Sequence, residues 1–145
     1  MNNTALTLTT ETEALKDVYA ALNRNDISAI IRLFDPRIEW TDPSDSPLYG
    51  TYNGLAAVQK HFTEARSQWA EGSCEPERFI VGGDKVVVFV HVRVRLRHET
   101  EWREGRLGDV YTFRDGKVVH ARSFLDRAEA LKWAGIEHSE TNEAK

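Results

Sequence analysis

The feature that most constrains this chain is a change of hydrophobic period near residue 70. Before it, apolar residues recur at helical spacing: Leu15, Val18, Tyr19 and Leu22, then Ile27, Ile30, Ile31 and Phe34, then Val58, Phe62, Ala65 and Trp69. After it they alternate, with Val86, Val88, Val90, Val92 and Val94 on one strand face and Phe89, His91, Arg93, Arg95 and Arg97 on the other. A chain whose helices come first and whose strands follow folds as α+β, with its helices packed on one face of an antiparallel sheet. The punctuation agrees. Asn23-Arg24-Asn25 breaks the first helix, Asp26 suits the N-cap of the second, and Asp35-Pro36 ends it. Helices are predicted over residues 11–22, 27–34 and 55–69, and strands over 37–41, 75–81, 85–97, 106–114 and 117–125. Gly82-Gly83-Asp84 and Asp115-Gly116 read as strand connections, and Thr51-Tyr52-Asn53 as a turn between two glycines. Asp126 and Glu129 fit a capping box that opens a last short helix, which Gly135 stops.

The chain's 145 residues suit one domain, over residues 11–136, between a polar N-terminus (1–10) and a polar tail (137–145), both expected to be flexible. Nineteen basic against 23 acidic residues give a net charge of −4, which argues against nucleic acid as a partner. No apolar run approaches the ~18 residues of a membrane span. The first residues lack the basic region and apolar stretch of a secretory signal, so a cytoplasmic location is expected. A single cysteine, Cys74, excludes an internal disulfide and a cysteine-rich metal site. The histidines show no metal spacing, and there is no glycine-rich phosphate loop or nucleophile elbow, so neither a metal nor a cofactor is expected. A curved sheet cupping helices leaves a cavity, which is the natural ligand site.

The segments VYAALNRNDISAIIRLFDPRIEWTDP, GLAAVQKHF and YTFRDGKVVHARSFLDRAEALKWAGI resemble the nuclear transport factor 2-like superfamily, in its SnoaL-like and ketosteroid-isomerase-like branch. The resemblance spans residues 11–136 and implies a cone-shaped, cystatin-like α+β barrel of three N-terminal helices on a curved, mostly antiparallel sheet. It also implies a homodimer packed through the sheet. As a guide to activity it is broad, because the superfamily holds isomerases, cyclases, epoxide hydrolases, dehydratases and members without known activity.

In ketosteroid isomerases an aspartate followed by proline, after the second helix, is the general base. Trp40-Thr41-Asp42-Pro43 takes that place here. A second aspartate, kept neutral by an apolar site, donates to the oxyanion from a strand resembling Gly108-Asp109-Val110-Tyr111. The resemblance therefore implies Asp42 and Asp109 as the catalytic pair. The helix-borne tyrosine donor of those isomerases aligns with Val18, and Tyr19 lies about 100° away around the helix. Candidate lining residues are Tyr19, Trp40, His61, Phe89, His91, Arg93, Tyr111 and Ser123. One register turns Phe89, His91 and Arg93 into the cavity, where they would suit an acidic or carbonyl-bearing ligand. The other makes them a solvated or dimer face, with the arginines paired to Glu99, Glu101 or Glu104. The five-valine stripe, more apolar surface than a monomer normally exposes, and Phe124 are expected on the outer, dimerising face. Two functions follow: a cofactor-free enzyme abstracting a proton beside a carbonyl of a small apolar substrate, or a non-catalytic ligand-binding or dimerisation module using the same cavity.

Overall fold

A computed structural model describes residues 4–44 and 50–136. Helices α1 (Thr4–Asn23) and α2 (Ile27–Ile31) lead into strands β1 (Phe34–Thr41) and β2 (Thr51–Asn53), and helix α3 (Leu55–Ser67) comes next. The meander β3 (Trp69–Gly82), β4 (Lys85–Leu96), β5 (Arg103–Arg114) and β6 (Lys117–Phe124) follows, and α4 (Arg127–Ala134) ends the fold. One six-stranded sheet runs β2-β1-β6-β5-β4-β3, antiparallel throughout except where β1 lies parallel to β6. Irregular registers at Trp69/Glu71 and Pro76/Arg78 bend β3. The architecture is the expected α+β one. Among the described residues no helix is long and apolar enough to cross a membrane.

The local signals act as their chemistry dictates. Asp26 accepts from the backbone N–H of Ala29, and Asp126 from that of Ala128, so both cap the helices they precede. Asp115 and Gly116 both adopt positive φ (53° and 80°), the tight turn that matches strand twist. Gly135 ends α4 in the left-handed conformation.

Several boundaries depart from the sequence reading. Helix α1 starts at Thr4, inside the segment expected to fray, and Leu8 is buried on it. Helix α2 ends at Ile31, because Phe34 joins β1 and pairs with Val118. Thr51-Tyr52-Asn53 is a short edge strand on β1. The expected tail from residue 137 lies outside the described residues.

The faces of β4 are the main correction. Val86, Val88 and Val90 sit in the core with Leu15, Tyr19, Ile30 and Tyr111, so the valine stripe faces the helices and is no dimer surface. Phe89, His91 and Arg93 point the other way, and none enters the helix side of the sheet. Antiparallel pairing requires this: Val88 stands opposite Asp109 and Val90 opposite Leu107, and directly opposed residues share a face. On the outer face His91 lies 2.6 Å from Glu104, Arg93 stacks on Trp102 at 4.0 Å, and Phe89 lies under Arg127.

Helix α4 is the second correction, since it covers the outer face rather than joining the other helices. Ala130, Leu131 and Ile136 pack on Ile80, Val87, Phe89 and Val110 to form a separate small core. Gly108 permits that approach: a Cβ there would meet the Ala130 Cβ at 2.7 Å. Gly108→Val should cost about 1–3 kcal/mol in urea denaturation through this overpacking. Gly105→Ala, which meets nothing within 4 Å, is the control and should change stability little.

Candidate functional site

Between the inner sheet face and α1, α2 and α3 lies a cavity of about 330 Å³. That is near the lower end of the ~300–1,000 Å³ range of small-molecule sites. Ile30, Phe62, Val90, Val92 and Leu107 give it apolar walls. Tyr19, Trp40, Asp42, His61, Asp109, Tyr111 and Ser123 also line it, so the structure brings seven of the sequence candidates together. Phe89, His91 and Arg93 stand outside it, for the register reason given above.

Each polar group arrives on a different element. Asp109 comes from β5, beside Leu107 and Tyr111 on the same strand face, and is 6% exposed. Tyr19 O–H donates to Asp109 Oδ2 at 2.6 Å, and Ser123 O–H of β6 donates to Oδ1 at 2.6 Å. Tyr111 O–H lies 2.7 Å from the Tyr19 oxygen, and with Tyr19 donating to Asp109 it becomes the donor to Tyr19. Burial raises the Asp109 pKa, and the Asp42 charge adds to the rise, while the Ser123 and Tyr19 hydrogen bonds oppose it. Burial and the Asp109 charge hold both tyrosines well above the usual phenol range, so each stays a donor.

Asp42 follows the last residue of β1, and its N–H donates to Gly50 O at 3.2 Å. Its Oδ1 accepts from Trp40 Nε1 at 2.8 Å. His61 of α3, stacked on Tyr52 at 3.9 Å, places Nε2 2.8 Å from Oδ2. The contact lies off the ring N–H axis, and Oδ2 is buried without a hydrogen-bond donor among the described residues. A buried carboxylate oxygen lacking a donor is costly unless something else occupies the position. Asp42 therefore turns to the cavity wall an oxygen whose neighbour is the His61 ring and which accepts no aligned hydrogen bond, whereas Asp109 accepts at both oxygens.

Tyr19, although one residue from the aligned position Val18, lines the cavity beside it and reaches the Asp109 carboxyl. The sequence reading did not place Phe62, Arg66, Trp69, Cys74, Val90, Val92 or Leu107 in the wall. Leu107 was within reach, because it alternates with Asp109. Burial pushes the Cys74 thiol up to about 12, so it stays protonated and unreactive. Among the described residues no group of three His, Cys, Asp or Glu side chains could hold a metal ion.

Residues 15–121 match the family of the SnoaL-like domain. The chain belongs to that family. A Burkholderia pseudomallei NTF2-like protein of unknown function is similar over 91% of this chain and 97% of its own, at 24% identity and TM-score 0.72. TerC, crystallised with polyporic acid, is 26% identical over 84% of this chain and 95% of its own, with TM-score 0.70. SalBIII, an epoxide hydrolase/cyclase-like enzyme of pyran ring formation in salinomycin, is 21% identical over 83% and 93%, with TM-score 0.70. Among curated protein sequences none matches the chain.

The raised pKa of Asp109 has a thermodynamic consequence. The folded chain keeps this proton at pH values where the unfolded carboxyl, near ~3.9, has released it. The contribution of Asp109 to stability is fully present below that value and declines as pH rises through the folded titration. Asp109→Asn removes the titration and keeps the shape. Its stability relative to wild type should rise as the pH increases above about 4, measured by urea denaturation at each pH. A difference that ignores pH would contradict a neutral Asp109.

Proposed function

We propose that this SnoaL-like protein is a cofactor-free enzyme that abstracts a proton beside a carbonyl of a small, largely apolar molecule. The observation that carries the reading is the opposite treatment of two carboxyls in one cavity. Asp42 keeps Oδ2 without a donor, while Asp109 is sealed among Tyr19, Tyr111 and Ser123 and driven toward its neutral form. Enolisation needs both states at once. A carboxylate must take the proton, and donors must wait where negative charge grows on the carbonyl oxygen.

In this reading Asp42 Oδ2 accepts the α-proton, with Trp40 Nε1 fixing the other oxygen. The developing enolate oxygen lies against Tyr19 and Asp109, whose O–H groups supply two donors. On ligand binding the Tyr19 proton turns from Asp109 Oδ2 to the enolate oxygen and the proton of neutral Asp109 joins it, while Tyr111 keeps donating to the Tyr19 oxygen. Return of the proton from Asp42 to another carbon completes an isomerisation. Attack of the enolate carbon on a second carbonyl of the same molecule, with the proton passing to the new alkoxide, completes a ring closure, and expulsion of a β-hydroxyl that takes the proton and leaves as water completes a dehydration. TerC, crystallised with a small organic acid, and SalBIII, a cyclase-like enzyme, support a small-molecule cavity of this kind.

Asp42→Asn should abolish turnover of an enolisable ketone found by screening while leaving the affinity for 2-naphthol, an enolate-like phenol, within about twofold. Asp109→Leu should weaken 2-naphthol by about tenfold or more, since a donor to the phenol oxygen is lost. Equal turnover by wild type and Asp42→Asn would overturn the base assignment. Binding of 2-naphthol with no turnover of any enolisable carbonyl compound would favour a ligand-binding module instead.

The reading includes a homodimer formed through the part of the outer sheet face that α4 leaves open. Beside it Trp133 of α4, 38% exposed, lies on His120, Arg122 and Phe124 of β6 and extends the face. Light scattering should give twice the 16.5 kDa chain mass, and a value of 16.5 kDa would refute it.

A further inference from the structure

Among the described residues the cavity wall carries a single permanently charged cation, Arg66. Helix α3 sets it opposite the acids in a defined way. His61 stands at Asp42, and Arg66 follows five residues later, about 7.5 Å along the helix axis. The guanidinium is held in place: Nε donates to Leu22 O at 2.8 Å and Nη2 to Asn23 O at 2.9 Å. Its carbon lies 4.5 Å from the centroid of Trp69, which, like Leu22, belongs to the cavity wall.

Its charge is answered by two backbone carbonyls and the face of the Trp69 ring. Among the described residues Arg24, Arg95, Arg103, Arg106 and Arg127 each pair with a carboxylate, whereas Arg66 has none. Arg97 adds a second cation beside it, and its Nε is spent on Ser67 O at 2.7 Å. Glu75, the acid of this corner, bonds Asn23 instead. Partial burial lowers the Arg66 pKa, and the Arg97 charge lowers it further. The C-terminal turn of α3 tolerates a cation electrostatically. A rigid, partly desolvated fork on an apolar wall is also an open position for a planar anion.

We propose that Arg66 is a specificity-determining residue that selects ligands bearing a carboxylate at the Arg66 side of the cavity in addition to the group held at Asp42 and Asp109. The selected class is an elongated, mostly apolar molecule with an enolisable carbonyl at one end and an acid at the other. This rests on the reading that the two aspartates hold the reacting end.

The test compares two probes by isothermal titration at pH 7: 2-naphthol and 6-hydroxy-2-naphthoate, which differ by a carboxylate at the far end of the ring system. Wild type should bind the carboxylate probe about five- to tenfold more tightly, as suits a charged contact at a partly exposed site. Arg66→Gln should erase that preference and leave the affinity for 2-naphthol within about twofold. Because Arg66 also holds two carbonyls of α1, Arg66→Lys and salt give independent readouts. Lysine should keep part of the preference, and about 0.5 M NaCl should reduce it in wild type. Equal binding of the two probes by wild type, a preference that survives Arg66→Gln, or one indifferent to salt would overturn the proposal. Failure of the underlying reading looks different: 2-naphthol would then bind Asp109→Leu as well as it binds wild type.

Discussion

The fold depends most on burying the carboxyl of Asp109. A carboxyl cannot leave water unless its oxygens find partners, and the chain supplies them from two distant segments. Tyr19 reaches down from α1 and Ser123 across from β6, so one side chain joins the first helix to the last two strands. The inner face of β5 and the depth of α1 over the sheet are tied to this contact. The same burial that demands these partners shifts Asp109 toward its neutral form. A structural requirement and a chemical capacity are here one interaction.

Around that carboxyl the sheet divides its labour by face. The inner face carries valines, which are β-branched and stiff, so the cavity walls keep their shape without a ligand. The outer face is part charged and part covered by α4, whose own apolar side could not be buried otherwise. Charged residues of β4 pair across strands, as His91 does with Glu104 and Arg95 with Glu71. Among the described residues four of the six buried polar side chains, Asp42, His61, Asp109 and Ser123, thereby meet in one cavity.

Much of the architecture was legible because it depends on local rules. Helical and strand periods, the caps Asp26 and Asp126 and the Asp115-Gly116 turn act within a few residues. The site was legible in part. Asp109 alternates with Leu107 and Tyr111 and so had to share their face, and Trp40 precedes Asp42 by two residues on β1. What misled was β4, where one face is all valine and the other mixes Phe89 with His91 and arginines. Amphipathic alternation says that two faces differ without saying which is inside, because a dimer surface and a core are equally apolar. Tyr19 was obscured similarly, since a one-residue offset on a helix decides which side chain reaches the sheet.

The sequence by itself determined the order of helices and strands, the places where the chain turns, and the residue types available for acid–base work. These follow from side-chain period and backbone preference, which act over a few residues. Only the tertiary structure decided that the valines face inward, that α4 crosses to the opposite side, and that Tyr19 rather than Val18 meets Asp109. It also decided that Asp42 Oδ2 meets the His61 ring without an aligned hydrogen bond and that Arg66 lines the same cavity. Each of these outcomes rests on strand register and helix rotation, and both are set by contacts between residues far apart in the chain. The physical reason is that a face is chosen by what covers it, and no segment carries that information alone.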